Sequence, residues 1–391
     1  MKKKIILLII LCFTLCGCED YAELNKLSIV TAIAIDKVED KYELTLLIAN
    51  SPKSETTSKE GEAKTTVYKG KAKSIAEAIK IIDKKTPKQL YFSHVNVVII
   101  SKEIGEDGFL KVADWLIRHP QTRNRFYLMQ VDDNKASDVL KIISPLESFP
   151  SQSIATLIES NKNSKSTGDT ASYSNFIGRI LETGYEGIMP TIKINGNVKE
   201  GSKQENIETA EPKTYLSLGP LAIYKGDKLV KTTTQKESES IRIINNEAKE
   251  LIYTVKYKDN YANIFSNTLK TKIKLTSNNS AEIYVSGKGT IYEINGNINL
   301  NDSKNISKLE KAWNKTMKKD LEKLLNNIQT EYKSDIFGFG NMIYKNYPKK
   351  WDKVKNEWND KYFQEFEIKV HVKTEIISTG SLTKTLKDGV K

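Results

Sequence analysis

Leu90-Tyr91-Phe92-Ser93-His94-Val95-Asn96-Val97-Val98-Ile99-Ile100 (LYFSHVNVVII) is a continuous run of mainly apolar and β-branched residues, of the kind a central strand takes when both its faces are covered. The next fifty residues settle the class. Asp107 to His119 places Phe109, Val112, Trp115 and Leu116 at helical spacing, Phe126 to Val131 reads as another strand, and Lys135 to Ile143 as another helix. Strand and helix in alternation predict an α/β domain.

Upstream, Leu27 to Asp36 (LSIVTAIAID) and Tyr42 to Asn50 (YELTLLIAN) flank the polar turn Glu39-Asp40-Lys41 and read as a β-hairpin. Ser51 to Thr66 is polar and aperiodic, a loop or a weak edge. Ser74-Ile75-Ala76-Glu77 has the form of a capping box, opening a helix with Ile75, Ile79 and Ile82 on one face. Downstream, Ser160 to Asp169 (SNKNSKSTGD) reads as a loop and Ala171 to Glu182 as a helix.

A second unit starts near Gly187 with the strand Ile188 to Ile194 and the polar insert Asn195 to Lys213. Tyr215 to Tyr224 and Lys228 to Lys231 form a hairpin about Lys225-Gly226-Asp227, and a helix over Glu237 to Asn245 precedes a strand around Glu250 to Tyr257. In a third unit, Asn267 to Thr276 and Ala281 to Ile294 alternate as half-buried strands. The longest helix, Ser303 to Tyr332, carries Ile306, Leu309, Trp313, Met317, Leu321, Leu324 and Ile328 three or four apart, a stripe expected to pack on its own sheet rather than on a partner. Short helices over Asn341 to Tyr347 and Pro348 to Trp358 and a last strand from Phe366 to Ile377 close the chain. The expected architecture is mixed α/β and α+β: three domains, 18–185, 186–258 and 259–391, each a sheet with packed helices, behind a leader of residues 1–17.

That leader has its own logic. In MKKKIILLIILCFTLCGC, Lys2, Lys3 and Lys4 precede an apolar run from Ile5 to Cys16, too short for a membrane span of about 20 residues and succeeded at once by Glu19 and Asp20. This is the order of a secretory signal peptide. Leu15-Cys16-Gly17-Cys18 resembles a bacterial lipobox, in which the last cysteine is alkylated by diacylglycerol and becomes the mature N-terminus. Cys18 is therefore the expected lipidation site; two acyl chains, at roughly 0.8 kcal/mol per buried methylene, meet the requirement for stable anchoring.

Composition narrows function further. At 391 residues, 39% hydrophobic and 28% charged, the chain resembles soluble globular proteins. The formal charge is +12, and +9 without the three leader lysines. An arginine-rich stripe with interleaved aromatics is missing, so nucleic acid is not an expected partner, and anionic lipid headgroups fit the basic excess better. All three cysteines, Cys12, Cys16 and Cys18, lie in the leader or at its end, which leaves the body no thiol for a disulfide, a nucleophile or a metal site. His94, His119 and His371 lack the spacing of zinc ligands.

No catalytic motif is present: no G-x-S-x-G, H-E-x-x-H or P-loop, and no G-x-G-x-x-G after a strand. Gly338-Phe339-Gly340 is flanked by bulky aromatics and reads as a corner between helices rather than a phosphate loop. No enzyme activity, cofactor or metal is expected. Two readings remain: an exported solute-binding lipoprotein that captures a small nutrient directly, which calls for a deep cleft with convergent polar groups, and a subunit that works by assembly with other proteins, which calls for exposed apolar or basic patches.

The lipobox with Glu23 to Asp36 (ELNKLSIVTAIAID), Ser93-His94-Val95 with Val97 to Ser101, Trp115 to Pro120 (WLIRHP), and Asp335 to Trp358 (DIFGFGNMIYKNYPKKWDKVKNEW) with Thr379-Gly380 together resemble the Ger(x)C lipoproteins, the C subunits of nutrient receptors in spore germination. The resemblance covers almost the whole chain. It implies three mixed α/β domains on the outer face of the spore inner membrane, assembled with two integral-membrane receptor subunits, and it carries no catalytic residues over.

Overall fold

A computed structural model describes residues 23–50, 63–164, 168–257, 260–296 and 298–380. The leader, Cys18 and most of the expected polar loop 51–66 lie outside them.

The expected hairpin forms: β1 (Leu27–Val38) and β2 (Lys41–Ala49) pair antiparallel, with Glu39 in the turn at φ 59°. β3 (Thr65–Ala72) adds an edge strand that begins at the end of the expected loop. Helix α1 (Ile75–Asp83) starts at Ser74, whose hydroxyl accepts from the Glu77 amide. It buries Ile75, Ala78 and Ile82 against β3 and β2.

The LYFSHVNVVII run is not one strand. It splits into β4 (Gln89–Tyr91), parallel to the start of β1, and β5 (Val97–Ser101), parallel to its middle, separated by a turn at 92–96 in which the Val95 amide donates to Phe92 O. Ser93, His94 and Asn96 suit that break, since their polar groups sit at a turn rather than in a ladder. The helix expected over 107–119 forms as α3 (Leu110–Arg118), and a shorter helix, α2 (Lys102–Asp107), precedes it, the two separated at Gly108 with φ 118°. A residue with a Cβ there would be strained and would meet the Asp227 carboxylate at 2.6 Å. β6 (Tyr127–Val131) runs parallel to β5, a single turn spans Ala136–Val139, and α4 (Pro150–Ser164) runs through the first half of the expected 160–169 loop. α5 (Tyr173–Leu181) closes this part of the chain.

The expectation of three sheets is corrected at the next strands. β7 (Ile188–Asn195) joins β6 through the pair Gln130 and Thr191, and β8 (Tyr215–Lys225) and β9 (Lys228–Thr232) extend the same sheet, giving nine strands in the order β3-β2-β1-β5-β6-β7-β8-β9 with β4 beside β1. After α6 (Gln235–Ile244), which has the full capping box of Thr234 and Glu237, β10 (Leu251–Tyr257) starts a second sheet. β11 (Asn260–Ser266), β12 (Lys270–Ser277), β13 (Ser280–Asn295) and β14 (Glu367–Ser378) complete it, with β14 parallel to β13. The strands of 186–258 are thus shared between two sheets, and the described residues form no third one.

Burial explains the division. One face of the first sheet packs under α1, α3 and α5, and the other under the 136–142 turn and α4. A further core spans both halves: Ile188, Leu221 and Ile223 from the first sheet and Ile241 from α6 meet Val255, Ile264 and Ile283 of the second sheet. The long helix α7 (Ser303–Asn327) lies on this core through Trp313, Met317, Leu321 and Leu324, as its stripe indicates. A π-helical turn (Ile328–Tyr332) leads into α8 (Phe339–Asn346) and α9 (Pro348–Val354).

Candidate functional site

The corner Asp335-Ile336-Phe337-Gly338-Phe339-Gly340 is where the two halves lock. Gly338 adopts φ 72° as the N-cap of α8, and the fully buried Asp335 supplies the acceptor that a glycine cap lacks. Its Oδ1 accepts from the Phe339 amide at 3.1 Å; its Oδ2 accepts from the Gly340 amide at 2.6 Å and from Trp358 Nε1 at 2.9 Å. Burial raises the Asp335 carboxyl to about 6, against the opposing pull of those N–H donors.

The facing surface comes from the turn between α5 and β7. Gly184, at φ 70°, accepts through its carbonyl from the Asn341 amide at 2.9 Å, and Asn341 Nδ2 donates to Thr183 O at 2.9 Å. A Cβ on Gly184 would lie 2.5 Å from the Gly340 carbonyl carbon, so the close approach of the two backbones requires glycine there. Glu186 donates its amide to Asp335 O at 3.1 Å, while its carboxylate accepts from Asn359 Nδ2 and from the Gly226 amide, each at 2.5 Å. Asn359 Oδ1 in turn accepts from the Asp335 amide at 3.1 Å. Burial raises the Glu186 carboxyl, with the Gly226 and Asn359 donors opposing it. Ser334 Oγ donates to Tyr224 O at 2.6 Å, and Arg179, 3.4 Å from Glu247, donates to Ile336 O and lies over the Tyr185 ring. Side chains and backbone of both halves are therefore interleaved in one seam.

Chemistry beyond this is sparse. Among the described residues no group of His, Cys, Asp and Glu could hold a metal ion. His94 lies beside Tyr91, His119 packs between Phe92 and Trp115 with its pKa lowered by burial, and His371 stacks on Tyr284 in the other sheet, so the structure does not bring the three together. Two clefts, of about 730 and 320 Å³, flank the segment 143–147 in the first half. Their charged groups are already partnered: Lys64 with Ser148 at 3.0 Å, Lys141 with Asp138 at 2.6 Å, and Glu147 with Thr156 at 3.0 Å. Cys18, the one expected site residue, lies outside the described residues. From sequence Asp335 is legible only as part of a corner, and Glu186 and Asn359 are not legible at all; the signal available is an aspartate placed just ahead of a glycine-capped helix.

The described residues thus form two sheets fastened by a buried polar seam, with two clefts beside the segment 143–147. A family model for the spore germination protein N-terminal domain matches residues 20–194, and one for the spore germination B3/GerAC-like C-terminal region matches residues 220–380. The chain belongs to the Ger(x)C family of spore germination proteins. It is 27% identical to spore germination protein KC of Bacillus subtilis (strain 168) over 99% of this chain and 98% of that one. It is 25% identical to spore germination protein B3 of the same organism over 95% and 96%, and 24% identical to spore germination protein GerQC of Bacillus cereus over 92% and 94%. The crystal structure of the GerBC protein superposes with a TM-score of 0.53 at 20% identity, covering 92% of this chain and 100% of that one, and shares its fold.

Proposed function

We propose that this chain is the lipid-anchored C subunit of a nutrient germinant receptor, held on the outer face of the spore inner membrane by diacylglycerol on Cys18 and assembled there with two integral-membrane subunits. The observation that carries the reading is adjacency: the family match begins at residue 20, two residues after the lipobox cysteine. Among the described residues no helix is long and apolar enough to cross a membrane, which is compatible with attachment through a lipid at Cys18. The lipid would fix the height of the body, and the seam around Asp335 and Glu186 would make its two halves move as one, so that a shift at one surface reaches the other. A body that itself captured a charged nutrient would need free, convergent polar groups in a cleft, and those around 143–147 are satisfied internally.

Metabolic labelling with a palmitate analogue tests the anchor. Wild type is expected to take up label and Cys18→Ala to remain an unlabelled precursor, since no cysteine comes after position 18. Label retained on the variant would overturn the assignment.

A further inference from the structure

Five arginines occur in the whole chain, and three of them, Arg118, Arg123 and Arg125, fall within eight residues. The other two, Arg179 and Arg242, are buried; these three are exposed. Lysine supplies nearly all the remaining basic charge, so exposed arginine is concentrated in and beside one loop, 119–126, between α3 and β6.

That loop sits at the end of the first sheet where β1 begins. The Phe92 amide donates to Gln121 Oε1 at 3.1 Å, Asn96 N donates to Thr31 O at 2.9 Å, and Tyr127 N donates to Asn96 O at 2.8 Å, tying the loop through the 92–96 turn to the start of β1. From Cys18 to Glu23, five residues span at most about 18 Å. On the reading that Cys18 carries the lipid, on which this inference rests, the start of β1 is the end of the body that must lie near the bilayer.

The chemistry of the loop fits that place. Arg125 N donates to Arg123 O at 2.7 Å, a tight turn that presents both side chains, and neither guanidinium pairs with a described residue. Arg118 is held through Nε by Asp114 at 2.9 Å. A guanidinium is planar and binds phosphate oxygens through two parallel N–H donors, which an ammonium cannot do. Trp115 and Tyr91, both half-buried, and Ile117, 51% exposed, lie at the same end, a mixture suited to a membrane interface. We propose that Arg123 and Arg125 bind the phosphodiester headgroups of anionic phospholipids and so set the orientation of the tethered body.

The test uses the full lipidated protein on vesicles with a fluorophore on Asn124→Cys; the thioether at Cys18 leaves that thiol as the reactive one. Flotation with phosphatidylcholine vesicles reads the anchor alone, so a failure of the lipid reading shows there and nowhere else. Quenching of the probe by headgroup-labelled lipid in phosphatidylglycerol vesicles reads the loop. Quenching is expected in the parent protein, weakened by salt, and reduced at least tenfold by Arg123→Glu with Arg125→Glu, at about fivefold per basic residue. Arg123→Lys with Arg125→Lys should retain part of it, and unchanged melting of both variants excludes misfolding. Absent quenching in the parent, or quenching indifferent to charge reversal, would overturn the proposal. So would unchanged quenching combined with loss of a copurifying membrane protein, which would give the loop an acidic protein partner instead.

Discussion

Replacing Asp335 by alanine should loosen the seam more than any exposed substitution can. The carboxylate is fully buried and accepts three N–H groups, from Phe339, Gly340 and Trp358. Alanine orphans all three, at about 1–3 kcal/mol each, while the relief of burying a charge gives part of that back. The expected net loss is roughly 3–5 kcal/mol, which for a chain of this length lowers the melting temperature by about 4–8 °C. Asparagine keeps one oxygen where Gly340 and Trp358 converge but turns an amide toward the Phe339 N–H, so its cost should be about half as large. Circular dichroism melts of the purified protein measure both. Because the seam joins the two sheets, the Asp335→Ala transition should also broaden as the halves uncouple. A variant that melts within about 1 °C of wild type, with an equally sharp transition, would show that the hydrophobic core alone joins the halves.

The same region should make stability depend on pH. Since the folded Asp335 carboxyl stands at about 6 against an ordinary 3.8, the folded state keeps a proton between those values that the unfolded chain has released. The stability it contributes is full below 3.8 and lost as pH rises through 6, about 2–3 kcal/mol in all, and urea titrations across that range should show the slope in wild type and a smaller one in Asp335→Asn. Trp313, 0% exposed, should cost about 3–5 kcal/mol when cut to alanine. Unchanged melting of Trp313→Ala with loss of receptor assembly would mean that its face belongs to a partner.

Local elements are legible where one periodicity dominates. The stripe from Leu309 to Leu324 places α7 and its buried face, and Ser74 of the expected capping box stands at a helix start in the structure, whereas the Thr234 cap of α6 lies ahead of the expected start at Glu237. Pattern misleads where packing overrides it. In β3, Lys69, Gly70 and Lys71 hide a strand whose Gly70 is required because α1 passes so close that a Cβ would meet Ala78 O at 2.2 Å. In β11, Asn260, Asn263 and Ser266 blur an alternation that only the partner strands make clear. The merging of the middle strands into the first sheet depends on pairing between Gln130 and Thr191, which no local window contains. Glu186 and Asn359 meet across 173 positions of sequence, so the seam has no local signature beyond the glycines and Asp335 themselves.

Whether the chain works as part of a membrane receptor, held there by a lipid at Cys18, is tested most directly by affinity capture of the tagged protein from detergent-solubilised spore inner membranes, run beside Cys18→Ala. Two integral-membrane proteins should copurify in fixed proportion with wild type and be lost with the variant. Recovery of the wild-type chain alone, in amounts matching its abundance, would contradict that role.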